Sequence, residues 1–296
     1  MLTSWKQIRD FFFLTFQFLV PQHLLSRCIG LIADSKLFAK PFIYWFAERY
    51  RVDVNESLKP LDSFSTFNDF FTRELKSGAR PFDNGHGIVL CPADGSLSQF
   101  GNIDQTRLVQ AKGRLYEASS LLGGDAGLSA SFKSGVFATI YLSPKDYHRV
   151  HMPLAGRLIR TVYIPGNLFS VNQVTANAVQ NLYARNERLV CLFETEVGLM
   201  AIVLVGAMVV AGIDTVWSGR SRSSWRRKLV VKDYSNHQTD IFLNAGAEMG
   251  RFRLGSTVIL LFPPGLIELD NQLMLDKDVR MGQAFGRILK DRLRES

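Results

Sequence analysis

Cysteine is scarce in this sequence. Cys28, Cys91 and Cys191 are the only three in 296 residues, far apart and odd in number. That excludes a disulfide framework and offers no Cys-x-x-Cys pair for zinc. A reducing, cytosolic setting fits such usage. Long apolar runs are lacking as well. The run from Phe11 to Val20 is interrupted by Gln17 and ends at Pro21, whereas a membrane-spanning helix needs about 20 apolar residues. No small-x-small cleavage site follows that run, which counts against a signal peptide. No internal repeat and no low-complexity segment occurs. Histidine is limited to five copies.

What is present is ample apolar material: 47% hydrophobic and 21% charged residues, the balance of a globular chain. Phenylalanine is abundant at 22 copies, many of them in the first quarter. The net charge of +8 calls for an anionic partner, a membrane surface or a nucleic acid. Phe11–Val20, Leu24–Ile32 and Leu37–Tyr50 read as amphipathic helices lying in a membrane interface. Core helices and a signal peptide are the competing readings. Residues 51–66 are polar and read as a linker. Thr66 is placed to cap a short helix, Phe67–Leu75, whose Phe67, Phe70 and Phe71 form a core-facing stripe.

From Gly87 the pattern changes to short apolar runs between glycines. Strands are expected at Ile88–Cys91, Phe137–Leu142, Arg157–Ile164, Leu189–Phe193, Leu199–Val205, Met208–Ile213 and Thr257–Phe262. The tail, Val279–Arg292, reads as a terminal helix. The fold class is therefore α+β, with N-terminal membrane-associated helices before a β-rich, sandwich- or barrel-like body. The domain boundary is expected near residue 60, with 1–60 binding the membrane and 61–296 forming the catalytic domain. Trp217–Lys228 carries five basic residues and two tryptophans. It is a solvated loop or a second contact with anionic lipid. No nucleic-acid-binding module accompanies the charge, so nucleic acid is not expected as a partner.

The chemistry gathers at Gly255-Ser256. Gly255 has no Cβ and leaves its carbonyl open to close approach. Ser256 Oγ can attack that carbonyl, converting the amide into an ester. Elimination of the ester and loss of ammonia would leave a pyruvoyl group at position 256. His151 is suited to accept the serine proton, with Asp94 orienting its imidazole. Asp94-Gly95 on its own is equally an ordinary strand-ending turn. Ser143-Pro144 is expected to open a short helical turn across which His148 and His151 face one another. No third or fourth ligand is spaced to make that pair a metal site. Ser256 lacks the Gly-x-Ser-x-Gly elbow of a conventional hydrolase and precedes a strand, which favours attack on its own backbone.

Five stretches together carry a family resemblance: Phe70-Phe71-Thr72-Arg73, Pro92-Ala93-Asp94-Gly95, Tyr141–Pro153, Pro165-Gly166-Asn167-Leu168-Phe169-Ser170-Val171-Asn172 and Gly246–Phe262. The chain resembles the bacterial phosphatidylserine decarboxylases. Ala245 departs from the pattern, standing where a basic residue is expected. The resemblance implies self-cleavage between Gly255 and Ser256 by Asp94, His151 and Ser256. The products would be a large chain (1–255) and a small chain (256–296) that stay together as a heterodimer, with further dimerisation left open. It also implies a covalent pyruvoyl cofactor made from Ser256 and no metal. That cofactor would form a Schiff base with phosphatidylserine, and CO₂ and phosphatidylethanolamine would be released. His148 would lie beside the substrate, and His148 or His151 would protonate the product. The expected location is peripheral, on the cytoplasmic face of the bacterial inner membrane. A serine hydrolase using the same residues and a non-catalytic peripheral membrane protein are the rival readings.

Overall fold

Every residue of the strand Ser256–Phe262 is buried, so this strand has no solvent face. A run of that kind belongs in a sheet covered on both sides. Its side chains divide by the two-residue period of a strand. Val258, Leu260 and Phe262 enter one core cluster, and Ile259 and Leu261 enter another. Fully burying each such side chain contributes about 1.5–3 kcal/mol. The neighbouring strands, Gly198–Gly206 and Val136–Leu142, flank it and run antiparallel to it.

A computed structural model describes residues 2–83, 85–208, 212–221, 228–235, 240–253 and 256–289. Among them, nine strands form the main sheet, which is open at its ends and not a closed barrel. Four more strands, Gly219–Ser221, Gly212–Thr215, Glu248–Arg253 and Arg149–His151, form a second antiparallel sheet in that order. Ile213, Val150, Met249 and Phe252 of this smaller sheet share a core cluster with Val258, Leu260 and Phe262. The fold is thus mixed α+β with a β-rich body.

Most expected strands are present within a residue or two. The expected strand Met208–Ile213 is displaced to Gly212–Thr215, and residues 209–211 lie outside the described residues. The tail differs from expectation. In place of a helix over Val279–Arg292, Ala284–Ile288 is a strand pairing with both Ile88–Leu90 and Ile267–Leu269. Gly286 shows the reason: a Cβ there would sit 2.6 Å from the Glu268 carbonyl oxygen, so the close backbone approach requires glycine. Residues 290–292 of that expected helix lie outside the described residues.

The N-terminal helices are α1 (Leu2–Leu19), α2 (Gln22–Ala33) and α3 (Ala39–Tyr50), followed by the short α4 (Phe67–Phe71). Thr66 caps α4 by accepting from the Asp69 N–H at 3.1 Å. Phe67, Phe70 and Phe71 are buried against Ile43 and Phe46 of α3. Residues 51–66 are not a loose linker, because Val52 and Phe64 belong to the same cluster. Gln17, which interrupts the apolar run of α1, is buried. Its amide accepts from the Ser170 N–H at 2.7 Å and donates to Thr175 Oγ1 at 3.1 Å. Gln22 accepts from the Leu168 N–H at 2.6 Å. These bonds fasten the first two helices to the 168–175 segment. Elsewhere α1 exposes Trp5, Phe11, Phe12 and Leu19. No described helix is long and apolar enough to cross a membrane.

Candidate active site

Ser256 opens its strand paired with Gly206 on one side and Leu142 on the other. By strand period its side chain shares the face of Val258 and Leu260, the face shared with the smaller sheet. The residue is fully buried, and among the described residues its Oγ has no hydrogen-bond partner. A buried hydroxyl left unpaired costs about 1–3 kcal/mol. Leu254 and Gly255, the other half of the expected scissile bond, lie outside the described residues.

The expected helical turn after Ser143 closes once, by the Asp146 N–H donating to the Ser143 carbonyl at 3.0 Å, and does not continue as a helix. The Asp146 side chain folds back, accepting from the Ser143 N–H and Oγ at 2.7 Å each. Arg149–His151 is then drawn into a strand by pairing with Glu248–Arg251. As a result His148 and His151 do not face each other across a turn. The fully buried ring of His148 stacks on Phe71 at 4.0 Å, and its Nε2 donates to the Ser143 carbonyl at 3.1 Å. Its Nδ1 is buried without a partner among the described residues. Burial, reinforced by nearby Arg73, lowers the His148 pKa to about 3 and keeps the ring neutral.

His151 is oriented by a backbone group. Its Nδ1 donates to the Gly246 carbonyl at 2.8 Å, which leaves Nε2 as the acceptor for the Tyr147 hydroxyl at 3.2 Å. Burial lowers its pKa too, partly offset by the Gly246 bond. A neutral imidazole whose Nε2 acts as an acceptor is the form required of a general base, and here that lone pair is engaged by the Tyr147 hydroxyl.

Asp94 is buried and sits in the bend between the strands Ile88–Leu90 and Gly95–Asn102. Gly95 beside it has no alternative, because a Cβ would collide with the Tyr141 carbonyl oxygen. The carboxylate accepts from Arg80 Nε at 2.9 and 3.0 Å and from the Met281 N–H at 2.9 Å. Arg80 also holds Glu56 through both terminal nitrogens at 2.8 Å. Burial opposes the Arg80 charge, but its bonds to Asp94 and Glu56 outweigh that cost and raise its pKa. The three residues of the expected triad are therefore not joined by hydrogen bonds. Asp94 is committed to Arg80 and Met281, and His151 to Gly246 and Tyr147. Arg80 and Tyr147 were not anticipated as site residues. Tyr147 lay within a stretch already singled out, whereas nothing in the chain pattern marked Arg80.

A cleft of about 190 Å³ opens over Asp94 between Arg80, Tyr147 and Arg73. Among the described residues no group of three or more His, Cys, Asp or Glu side chains is arranged to hold a metal ion. Trp217 of the basic loop is partly buried and packs edge-on against Phe193 of the core. Residues 222–227, including Trp225, lie outside the described residues.

The family model for phosphatidylserine decarboxylase matches residues 67–287, which takes in every site residue above. The chain belongs to the phosphatidylserine decarboxylase family. A second model, described as PSD, matches residues 12–51. A phosphatidylserine decarboxylase proenzyme of Ectopseudomonas mendocina is 53% identical over 277 residues, covering 93% of this chain and 97% of the relative. Proenzymes of the same name from Pseudomonas putida and Pseudomonas aeruginosa are 54% and 53% identical, with coverage of 93% and 94% of this chain and 96% and 97% of theirs. Members of this family are lyases that release CO₂, and the chain is an enzyme of that class.

Proposed function

We propose that this chain is the precursor of a phosphatidylserine decarboxylase that cuts itself between Gly255 and Ser256. The buried Ser256 Oγ, without a partner among the described residues and at the head of a clamped strand, carries the reading. A hydroxyl held without a partner beside its own peptide bond is set up to attack that bond. Ser256 Oγ adds to the Gly255 carbonyl carbon and passes its proton to His151 Nε2. The C–N bond then breaks and the nitrogen takes up a proton, leaving an ester between the two halves. Loss of the Ser256 α-proton expels residues 1–255 as a carboxylate. Water then releases ammonia from position 256, leaving the pyruvoyl group.

A pyruvoyl group there supplies a ketone that takes up an amine and draws in electrons as CO₂ departs, as pyridoxal phosphate does elsewhere. His148, neutral and stacked on Phe71, borders the headgroup. His148 or His151 delivers the proton that replaces CO₂, giving phosphatidylethanolamine. The wild-type enzyme should run as two chains under denaturing conditions. Intact mass should match residues 1–255 and 256–296, the latter with a blocked first residue. Borohydride reduction with substrate present should fix the lipid amine to the smaller chain. A single uncut chain that turns over would sink the proposal.

The membrane reading rests on the exposed apolar side chains of α1 to α3 and the net charge of +8. We assign the enzyme peripherally to the cytoplasmic face of the inner membrane, where phosphatidylserine is anionic like the surface around it. Phe11 and Phe12 are each 65% exposed on α1 and are the residues to test. Phe11→Glu with Phe12→Glu should abolish co-sedimentation with anionic vesicles while self-cleavage continues. Substitution is preferable to deleting residues 1–20, because Gln17 is docked in the body. Continued sedimentation at high salt would move the anchor elsewhere.

A further inference from the structure

The Phe70-Phe71-Thr72-Arg73 stretch contributes its phenylalanines to a core cluster, but nothing in the reaction above uses Arg73. That residue is 4% exposed. Its guanidinium lies over the Phe70 ring at 5.4 Å, and its Nη2 donates to the Lys145 carbonyl at 3.3 Å. Among the described residues its Nε is buried with no partner and the side chain forms no ion pair. The other arginines in such surroundings are satisfied. Arg80 holds Glu56 and Asp94, and Arg149 holds Glu74 and Glu248. Arg188 donates to the carbonyls of Leu121, Asn186 and Ser120. Asp94 and Glu56 lie near enough to favour the Arg73 charge but are both bonded to Arg80, and a buried guanidinium with an unpaired nitrogen is costly, so Arg73 has donors left for an anion supplied from outside.

The surroundings say where that anion sits. Arg73 forms a wall shared by the cleft over Asp94 and a second pocket of about 210 Å³. The cleft balances five carboxylates with five cations. The second pocket sets Lys59, Arg73, Arg149 and Arg251 against only Asp69 and Glu74. Arg73 also lies close enough to His148 to depress its basicity, which ties the pocket to the reacting region. We propose that Arg73 is the anchor for the headgroup phosphate of the lipid substrate, held in this pocket. The inference rests on the decarboxylase reading and extends it to the substrate's position.

Of the two anions on phosphatidylserine, the phosphate is the one this residue suits. A guanidinium on the carboxylate would stabilise the charge that must disappear in the transition state and so slow CO₂ loss. On the phosphate, which keeps its charge throughout, the same bonds serve binding and orientation, and a planar fork matches two phosphate oxygens. Holding the phosphate fixes where the serine amine and carboxylate fall relative to position 256.

The test separates this inference from the self-cleavage chemistry by using the Ser256→Ala chain, which carries no ketone. Glycerophosphoethanolamine should bind it and shift the Nε–H resonance of Arg73 in arginine-selective NMR, while ethanolamine should not. Adding Arg73→Gln should weaken that binding by at least about tenfold, the loss expected for a charge-assisted bond, and Arg73→Lys should restore part of it. In the processed enzyme, Arg73→Gln should raise KM for phosphatidylserine much more than it lowers kcat. If inorganic phosphate binds as tightly as glycerophosphoethanolamine, the site serves free phosphate and the proposal fails. It fails equally if the Arg73 resonance is unmoved at saturation, or if Arg73→Gln lowers kcat with KM unchanged. Should Arg73→Gln not fold, the resonance shift and the Arg73→Lys variant decide the matter alone.

Discussion

Ser256→Ala should stay a single chain of 296 residues and release no CO₂. The substitution removes one oxygen and nothing else. That oxygen is buried and has no partner among the described residues, so its loss orphans none of them and folding should be preserved, if anything slightly favoured. The effect on activity is total because both steps depend on the same atom: without attack there is no cut, and without the cut there is no ketone. Ser256→Cys retains a nucleophile, so some cutting should survive, with decarboxylation lagging behind it. Gel electrophoresis, intact mass and CO₂ release on one preparation check all of this. A serine hydrolase would instead give an intact wild-type chain labelled at Ser256 by a fluorophosphonate. Normal cutting by Ser256→Ala would end the proposed mechanism.

Asp94→Asn should also leave the chain uncut, and at a visible cost in stability. Asparagine keeps the shape but not the charge, so Arg80 is left with Glu56 alone. Breaking a buried pair in this way costs about 3–5 kcal/mol, and a lower Tm should report it. Because Asp94 bonds to Arg80 and not to His151, two accounts of the lost cutting compete. Either the carboxylate charge supports the imidazolium as it forms, or the salt bridge holds the local backbone in place. Arg80→Gln separates them, since it breaks the bridge and leaves the charge. We expect Arg80→Gln to cut more slowly than wild type but far faster than Asp94→Asn. Equal failure of both would make Asp94 a purely structural residue, and wild-type cutting by Asp94→Asn would remove it from the reaction altogether.

The parts of this molecule that were legible in the sequence are those fixed by short-range pattern. Continuous apolar runs such as Leu199–Val205 can be buried only on both faces, and they became the central strands. Thr66 capped α4 because a cap depends on a neighbour three residues away. The parts that were not legible depend on distant partners. Ser143-Pro144 carries a local helix signal, yet pairing with a strand about a hundred residues further on turned Arg149–His151 into β-structure. The tail read as a helix because nothing nearby reveals that Glu268 approaches Gly286. His151 takes its orientation from a backbone carbonyl 95 residues away, and a carbonyl leaves no mark in a side-chain pattern. Arg80 stands in an unpatterned segment, and only the fold brings it against Asp94.

The strand Ser256–Phe262 is the interior of the main sheet, held by a ladder on each side. Its position makes the proposed maturation a one-way door. The nucleophile is presented only after both flanking strands have assembled, so a half-folded chain cannot ripen prematurely. Once the bond is gone, the molecule has lost the connectivity that built it. The smaller piece contributes the middle of the sheet and, through Ala284–Ile288, the central strand of a three-stranded one. It cannot leave without dismantling the body, and a denatured mature enzyme would have to rebuild that body from two separate chains. Refolding that was unimolecular in the precursor becomes bimolecular afterwards. Each molecule is therefore ripened once, and its working life ends the first time it melts.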